Sequence, residues 1–152
     1  MAGVTSALCT SFKVELLEGD HDFNNGADVF KVALFKANAS ITGTYDATTT
    51  NYSDMTGNSD ELPNGSGYTT GGYALTNVNP TSSGTTAFTD FSANAAWSSA
   101  TFTTRGCMIY NTSDSNSAVA VINFGADYSV SGGTFEIQWP TADSSNAIIR
   151  IA

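Results

Sequence analysis

Charged residues are scarce in this sequence. Asp, Glu, Lys and Arg make up 12% of its 152 residues, about half the share found in a typical globular chain. Fourteen are acidic and five are basic, which gives a net charge of −9. Because the bases are scattered, no basic stripe can displace counterions from a phosphate backbone, so we predict no direct binding to nucleic acid. The five bases are Lys13, Lys31, Lys36, Arg105 and Arg150.

Long apolar runs are missing as well. No run approaches the roughly 18 residues that a membrane-spanning helix needs, so we expect no membrane partner. The first residues, MAGVTSALCTSFK, do not combine a basic region with a following apolar core. We therefore expect that the chain has no secretion signal and that it is made in a reducing cytoplasm.

Cysteine and histidine are too few for a zinc site. Cys9 and Cys107 belong to no C-x-x-C pair, and His21 is the only histidine. One histidine and two distant cysteines do not complete the ligand set of zinc. We expect two buried, reduced thiols and no metal or cofactor, with a disulfide in air-exposed material as the alternative.

The remaining composition is that of one folded domain. Hydrophobic residues form 41% of the chain, which is enough for a core, and we predict a single domain over 1–152. Within it, an N-terminal helical segment and turn (1–28) precede a β domain (29–152). Leu8, Phe12 and Leu16 form one helical stripe before Gly19, although alternating apolar residues leave a strand open as the alternative.

After Gly26 the apolar period changes to two, which predicts strands. In TFEIQW, Phe135, Ile137 and Trp139 are predicted to face inward, and AVAVINF is typical of a central strand covered on both faces. The pattern predicts an all-β, mainly antiparallel fold, a β-sandwich or jelly roll of about 7–8 strands with a short N-terminal helix. The predicted strands cover 29–36, 73–77, 86–91, 100–111, 118–125, 134–139 and 147–151. The strands 100–111 and 118–125 flank a polar loop and are predicted to form a hairpin.

The stretch GSGYTTGG (65–72) resembles a phosphate-binding loop only in its glycines. A nucleotide-binding loop leads from a strand into a helix, and a P-loop ends in Lys and Ser or Thr. Here no helical pattern and no base follow. We predict positive-φ turns and a bulge that lead into a strand.

Motifs for calcium binding and catalysis are incomplete. Asp20, Asp22 and Asp28 in DHDFNNGAD leave a loose calcium site open, but the EF-hand pattern lacks its Gly and its Glu. Nothing marks His21 as part of a Ser–His–Asp unit. Cleavage of a glycoside needs two converging carboxylates. Glu136 is the best-placed strand acid, but an outward-facing strand residue needs no catalytic explanation. We predict that the chain is not an enzyme.

The order of several segments, and the residues within them, carry a resemblance that covers nearly the whole chain. They are LCTSFKVELLEGDHDF, DVFKVALFKANA, YDATTTNYS, GSGYTTGGYAL, WSSATFTTRGCMIYN and AVAVINFGADYSVSGGTFEIQWPTADSSNAIIRI. Together they resemble a family of small structural proteins of tailed bacteriophages. One departure is SDMTGNSDELPNGSG (53–67), which is longer and more acidic than the resemblance leads us to expect.

The resemblance implies a head decoration, or cement, protein. Such a protein binds the outside of the virion head, is made in the host cytoplasm, has the major capsid protein as its partner and forms a homo-oligomer. A tail or fibre component that binds a host surface glycan is the alternative. We expect seven apolar or aromatic residues to contact the capsid or other subunits. The alternative is that they belong to the domain's own core. They are Phe12, Leu16, Phe23, Tyr52, Met55, Leu62 and Tyr68.

Overall fold

The computed structural model describes residues 1–152 and shows an all-β protein with a short N-terminal helix. The strands form mainly antiparallel sheets in a sandwich-like arrangement, as the apolar pattern predicts. In chain order the elements are β1 (Gly3–Val4), β2 (Ala7–Leu8), α1 (Thr10–Glu18), β3 (Phe30–Leu34), β4 (Thr44–Tyr45), α2 (Tyr52–Gly57), β5 (Tyr73–Ala74), β6 (Thr81–Ser83), β7 (Thr86–Thr89), β8 (Ala95–Asn111), β9 (Ser117–Ile137) and β10 (Ile149–Ile151).

The main sheet has five strands in the order β2-β9-β8-β3-β5. Its centre is the hairpin of β8 and β9, two strands of 17 and 21 residues. The apolar pattern predicts this hairpin but divides β9 into two strands, 118–125 and 134–139. That division was wrong, because a register shift between Thr104 and Gly106 lets the ladder continue past the apolar run AVAVINF.

Two smaller sheets complete the fold. β10, β7 and β6 form an antiparallel three-stranded sheet, and β1 pairs with β4 in parallel. The last predicted strand, AIIRI, is thus tied into a sheet through β10. The predicted strand 73–77 is reduced to the two residues of β5, and the helix α2 was not predicted.

The N-terminal helix ends where the sequence predicts. Gly19 follows α1 with φ +88°, a left-handed conformation that glycine adopts without steric cost. Phe12 is 1% exposed on the inner face of α1, whereas Leu17 is 89% exposed on the outer face. The predicted helix is therefore confirmed, and the alternative prediction of a strand is wrong.

The core is one continuous cluster that runs from the N-terminus to the last strand. It contains Val4 and Phe12 from the N-terminal segment, Ile109 and Val119 from the central hairpin, and Ile149 from β10. Aromatic rings supply much of its volume, including the stacked pair Phe23 and Phe30, whose ring centroids lie 4.4 Å apart. Because residues 1–28 contribute to this cluster, the N-terminal segment packs into the β domain rather than beside it.

Candidate functional site

The part of β9 that lies beyond the core forms the wall of an open groove. Its pairing with β8, interrupted by register shifts near Gly132, places Phe135 opposite Trp97 and Val130 opposite Phe102. Alternation along the strand then puts the apolar side chains on one face and leaves Thr134, Glu136 and Gln138 in water. The alternation predicted for TFEIQW is confirmed, but its apolar face is only half-buried.

The groove is predominantly apolar and has a volume of about 350 Å³. Seven of its ten lining residues are hydrophobic. Tyr128 is the most open of them at 52% exposure. The ring of Phe124 meets Tyr128 edge-on at 6.2 Å and lies 6.1 Å from Phe135. The lining residues are Ile122, Phe124, Tyr128, Phe135, Glu136, Ile137, Gln138, Trp139, Pro140 and Ile148.

Hydrogen bonds hold the polar parts of the groove in place. The Trp139 indole Nε1 donates to the Ala93 carbonyl at 2.9 Å, and its ring lies 5.4 Å from that of Phe91. The Glu136 carboxylate accepts from the side-chain amides of Gln138 and Asn94 at 2.9 and 3.1 Å. Glu136 is the only charged residue in the lining, so the groove offers apolar contact with little charge.

Five of the seven expected contact residues lie in the domain's own core. Their side chains are 0–5% exposed, which leaves no surface for a partner. The expected contact with a capsid or another subunit is therefore wrong for these five, which are Phe12, Phe23, Met55, Leu62 and Tyr68. Burial in the core is favoured because it removes their apolar surface from water. Leu16 and Tyr52 are partly buried and pack against the same cluster.

Tyr52 and Tyr68 share a buried carboxylate. The Glu61 carboxylate accepts hydrogen bonds from both tyrosine hydroxyls and from the Gly71 backbone N–H. Burial, followed by the nearby Glu61, raises the pKa of both hydroxyls, which therefore stay protonated and donate. Tyr52 also stacks on Tyr110 with 4.3 Å between ring centroids. This arrangement fixes the segment 53–67 to the sheet and offers no exposed group for chemistry.

The neighbouring acid, Asp60, anchors a second connection. Its carboxylate accepts from the Tyr45 hydroxyl at 2.6 Å and from the backbone N–H groups of Thr42 and Gly43 at 2.9 and 2.8 Å. Burial opposes the charge of Asp60, but these hydrogen bonds outweigh it and lower its pKa. The acidic residues in this stretch thus hold loops together instead of forming a solvated loop.

His21 belongs to the one group of side chains whose composition fits a metal site. Ligand atoms of Glu15, His21 and Asp114 lie within 4.8 Å of one another. Asn111 Oδ1 accepts from the N–H groups of Ser113 and Asp114, so its amide nitrogen points at His21 Nδ1, 3.0 Å away.

That contact fixes the state of the histidine ring. An amide nitrogen donates, so His21 Nδ1 accepts, and the ring proton sits on Nε2. Nε2 then donates to Glu15 Oε2 at 2.9 Å. A metal would need the lone pair of Nε2, which this tautomer does not offer. The group therefore links α1 to the β8–β9 turn and does not form a metal centre.

The loose calcium site considered for Asp20, Asp22 and Asp28 is not assembled. The Asp22 side chain accepts from the backbone and the side chain of Asn24, and Asp28 accepts from the Asp22 N–H and from Asn111. These three carboxylates do not converge on one point. The carboxylate oxygens of Asp22 and Asp28 are used to shape the turn that leads into β3.

The glycine-rich stretch 65–72 is a turn, as predicted. Gly65, Gly67, Gly71 and Gly72 all have positive φ, and β5 follows directly. A Cβ at Gly72 would lie 1.9 Å from the Val32 carbonyl oxygen. Glycine is required there because the backbone of this loop packs directly on β3.

Both cysteines are buried and free. Burial raises the pKa of Cys9 to about 12 and also raises that of Cys107. Neither thiol is a ready nucleophile, since the thiolate is the reactive form. The predicted burial of both thiols is confirmed, and their reduced state stays a prediction.

The groove is not predicted by the sequence pattern. Phe135, Ile137 and Trp139 were assigned to the core from their alternation, and Phe124, Tyr128 and Ile148 were not singled out. Periodicity shows which side chains share a face. It carries no information on whether another layer covers that face, and this is the property that makes the groove.

No protein-family model, curated protein or solved structure matches this chain. No helix of the structure has both the length and the apolar character needed to cross a bilayer.

Proposed function

We propose that this chain is a structural virion protein of a tailed bacteriophage that binds the outside of the head and stabilises the capsid. The groove along β9 is the observation that carries the proposal. It is an open, largely apolar surface with a single charge, on a chain whose net charge is −9. The segment order that resembles the tailed-phage structural proteins supports the choice of the virion.

The groove suits a contact made by apolar groups of the major capsid protein. Burial of apolar surface contributes about 25 cal/mol per Å² before the costs of association. Such contacts depend weakly on salt, unlike a surface held by ion pairs. The acidic remainder of the molecule would face solvent, away from the DNA inside the shell. The proposed role involves no reaction and no cofactor.

Titration of purified protein onto expanded cognate capsids tests this function. Wild-type protein should co-sediment with the capsids and raise the temperature at which they release DNA, because a ligand of the assembled state stabilises it. Tyr128→Ser should weaken binding roughly tenfold, which corresponds to about 1.4 kcal/mol of lost apolar contact. Moderate salt and EDTA should change the binding little.

Tyr73→Ser is the matched control. Tyr73 is also an exposed tyrosine, at 37%, but it lies on β5 and does not line the groove. Its variant should bind capsids as the wild type does. Equal losses for the two variants, or no capsid binding by the wild type, would contradict the proposal.

A glycan-binding tail or fibre component is the second candidate, favoured by one observation. Trp139 and Tyr128 both line the groove, and aromatic rings are common platforms for sugar rings. The side chains of Glu136 and Gln138, however, bond to each other. Saturable quenching of tryptophan fluorescence by host-surface oligosaccharides, abolished in Trp139→Phe, together with no affinity for capsids, would favour this candidate.

A further inference from the structure

One edge of β9 is free over most of its length. On that side β2 pairs only with Ala120 and Val121. From residue 128 to residue 137, β9 pairs with β8 on its other side and with no further strand. An uncovered strand edge presents a row of unpaired N–H and C=O groups that can accept another strand.

Two observations show which residues present these groups. The Thr101 backbone N–H donates to the Ser66 carbonyl at 2.8 Å, so it points away from β9. Its partner Ser131 therefore belongs to a non-hydrogen-bonded pair, and its own N–H and C=O point outward. Thr103 and Ser129 form the next such pair, with their hydroxyl oxygens 2.7 Å apart. The backbone groups of Ser129 and Ser131 therefore face the free edge.

This edge lacks most of the features that usually prevent strand addition. Natural edges carry charges and prolines or are very short. Residues 128–137 contain no proline and one charged residue, Glu136. The register shifts near Gly132 interrupt the ladder but leave 128–131 in regular pairing with β8. A ribbon only two strands wide is marginally stable by itself, so a third strand would stabilise it.

We propose that the free edge of β9 pairs antiparallel with the same edge of a second copy of this chain. An antiparallel strand edge is complementary to itself about a two-fold axis, which is the symmetry of most protein dimers. Two chains of charge −9 repel each other, so they approach best along a stretch with almost no charge. Residues 128–137 provide such a stretch.

The pairing goes beyond the proposed function and does not depend on it. It uses the backbone edge of β9 and leaves the apolar face of the same strand open. The grooves of the two copies would then lie on one continuous sheet of two β8–β9 ribbons.

Sedimentation velocity on the full chain, over a range of concentrations, tests the pairing. Wild-type protein should approach twice the monomer mass of 15.8 kDa as concentration rises. Ser129→Pro removes the outward N–H without removing a bond to β8, and proline is compatible with the outer edge of a strand. It should weaken dimerisation by roughly tenfold or more, because the two-fold axis makes the loss occur twice.

Ser129→Ala is the matched control, since it removes the same hydroxyl but keeps the N–H. It should dimerise as the wild type does, and circular dichroism should show that both variants keep the wild-type fold. Amide hydrogen exchange gives a second measurement. The N–H groups of Ser129 and Ser131 should exchange slowly in concentrated wild-type protein and quickly after dilution.

A wild-type protein that stays monomeric would overturn the pairing, and so would a dimer in which these two amides exchange quickly. Both measurements are made without capsids. A dimer that does not bind capsids would therefore remove the proposed function and leave the pairing, whereas a monomer that binds capsids would do the reverse.

Discussion

The two halves of β9 differ in what surrounds them. Residues 117–121 lie beside β8, with β2 on the other side of Ala120 and Val121, and every one of them is buried. Residues 124–137 continue the same strand, and none of them is buried. Both halves contain large apolar side chains, Val119 and Val121 in the first and Phe124, Phe135 and Ile137 in the second.

The difference comes from the neighbours of the strand rather than from its own sequence. β2 contributes two residues to the edge of β9, and β3 adds five to the far side of β8. Where these short strands stop, the central hairpin continues with one face open and one edge free. The inner half of β9 is thus part of the core, and its outer half is a surface that other molecules can reach.

A charge placed in each half gives the largest expected contrast. Ile109 on β8 is fully buried opposite Ala120, so Ile109→Asp should cost several kcal/mol and unfold a domain of ordinary stability. Ile137 lies in the open groove, where water can reach an introduced carboxylate. Ile137→Asp should therefore cost only about 1–2 kcal/mol.

Urea denaturation measures both variants, with Thr134→Asp on the exposed face of the same strand as the control that should change stability little. Equal destabilisation by the two isoleucine variants would mean that the outer half of β9 is covered in the monomer. It would remove the basis for both the groove and the free edge.

Adding a methyl group at a glycine sharpens the same comparison. At Gly72 the new Cβ would lie 1.9 Å from a backbone oxygen of β3, and φ is +76°. Gly72→Ala should cost about 2–4 kcal/mol, because strand β3 has to move. Gly132 on the outer half has φ +64° but open space around it, so Gly132→Ala should cost only about 1 kcal/mol.

Thermal unfolding of the two alanine variants checks this difference. Similar costs at both positions would show that the left-handed backbone conformation dominates, and that the close approach of the glycine-rich turn to β3 contributes little.

The sequence predicts elements well where local patterns decide them. The stripe of Leu8, Phe12 and Leu16 and the final Gly19 locate α1, and the period of two locates the central hairpin. The fold class follows from these patterns. The sequence did not predict α2, which begins at a cap formed by Asn51 and Asp54. A capping pair as short as this recurs by chance in a chain rich in Asn, Ser and Asp.

Features that depend on long-range contacts could not be predicted. Glu61 and Asp60 resemble solvated loop acids in the sequence. Both are nevertheless buried, and their carboxylates accept hydrogen bonds from tyrosine hydroxyls. His21 resembles a turn residue, yet it contacts Asn111 across 90 residues of chain. The free edge of β9 is a similar case, because it depends on where β2 ends.

Lowering the pH should weaken the inner part of the molecule through Asp60. Burial opposes the charge of this carboxylate, but the hydrogen bonds from Tyr45, Gly43 and Thr42 outweigh burial and lower its pKa. The unfolded chain therefore takes up this proton at a higher pH than the folded chain does. The stability that Asp60 contributes is present above about pH 4 and is lost as the pH falls through the folded pKa.

Asp60→Asn tests this contribution, because an amide places a donor where the carboxylate accepts from three groups. The variant should be less stable than the wild type by about 2 kcal/mol at pH 7, measured by urea denaturation. The difference should shrink as the pH falls from about 4 through the lowered pKa of folded Asp60, where the wild type loses the charge as well. Glu136→Gln on the outer half of β9 is the control and should differ from the wild type by less than about 0.5 kcal/mol at pH 7. The difference in the free energy of unfolding between Asp60→Asn and the wild type could instead stay constant with pH. That result would show that the shape of the side chain, and not its charge, holds the loops against the inner part of the sheet.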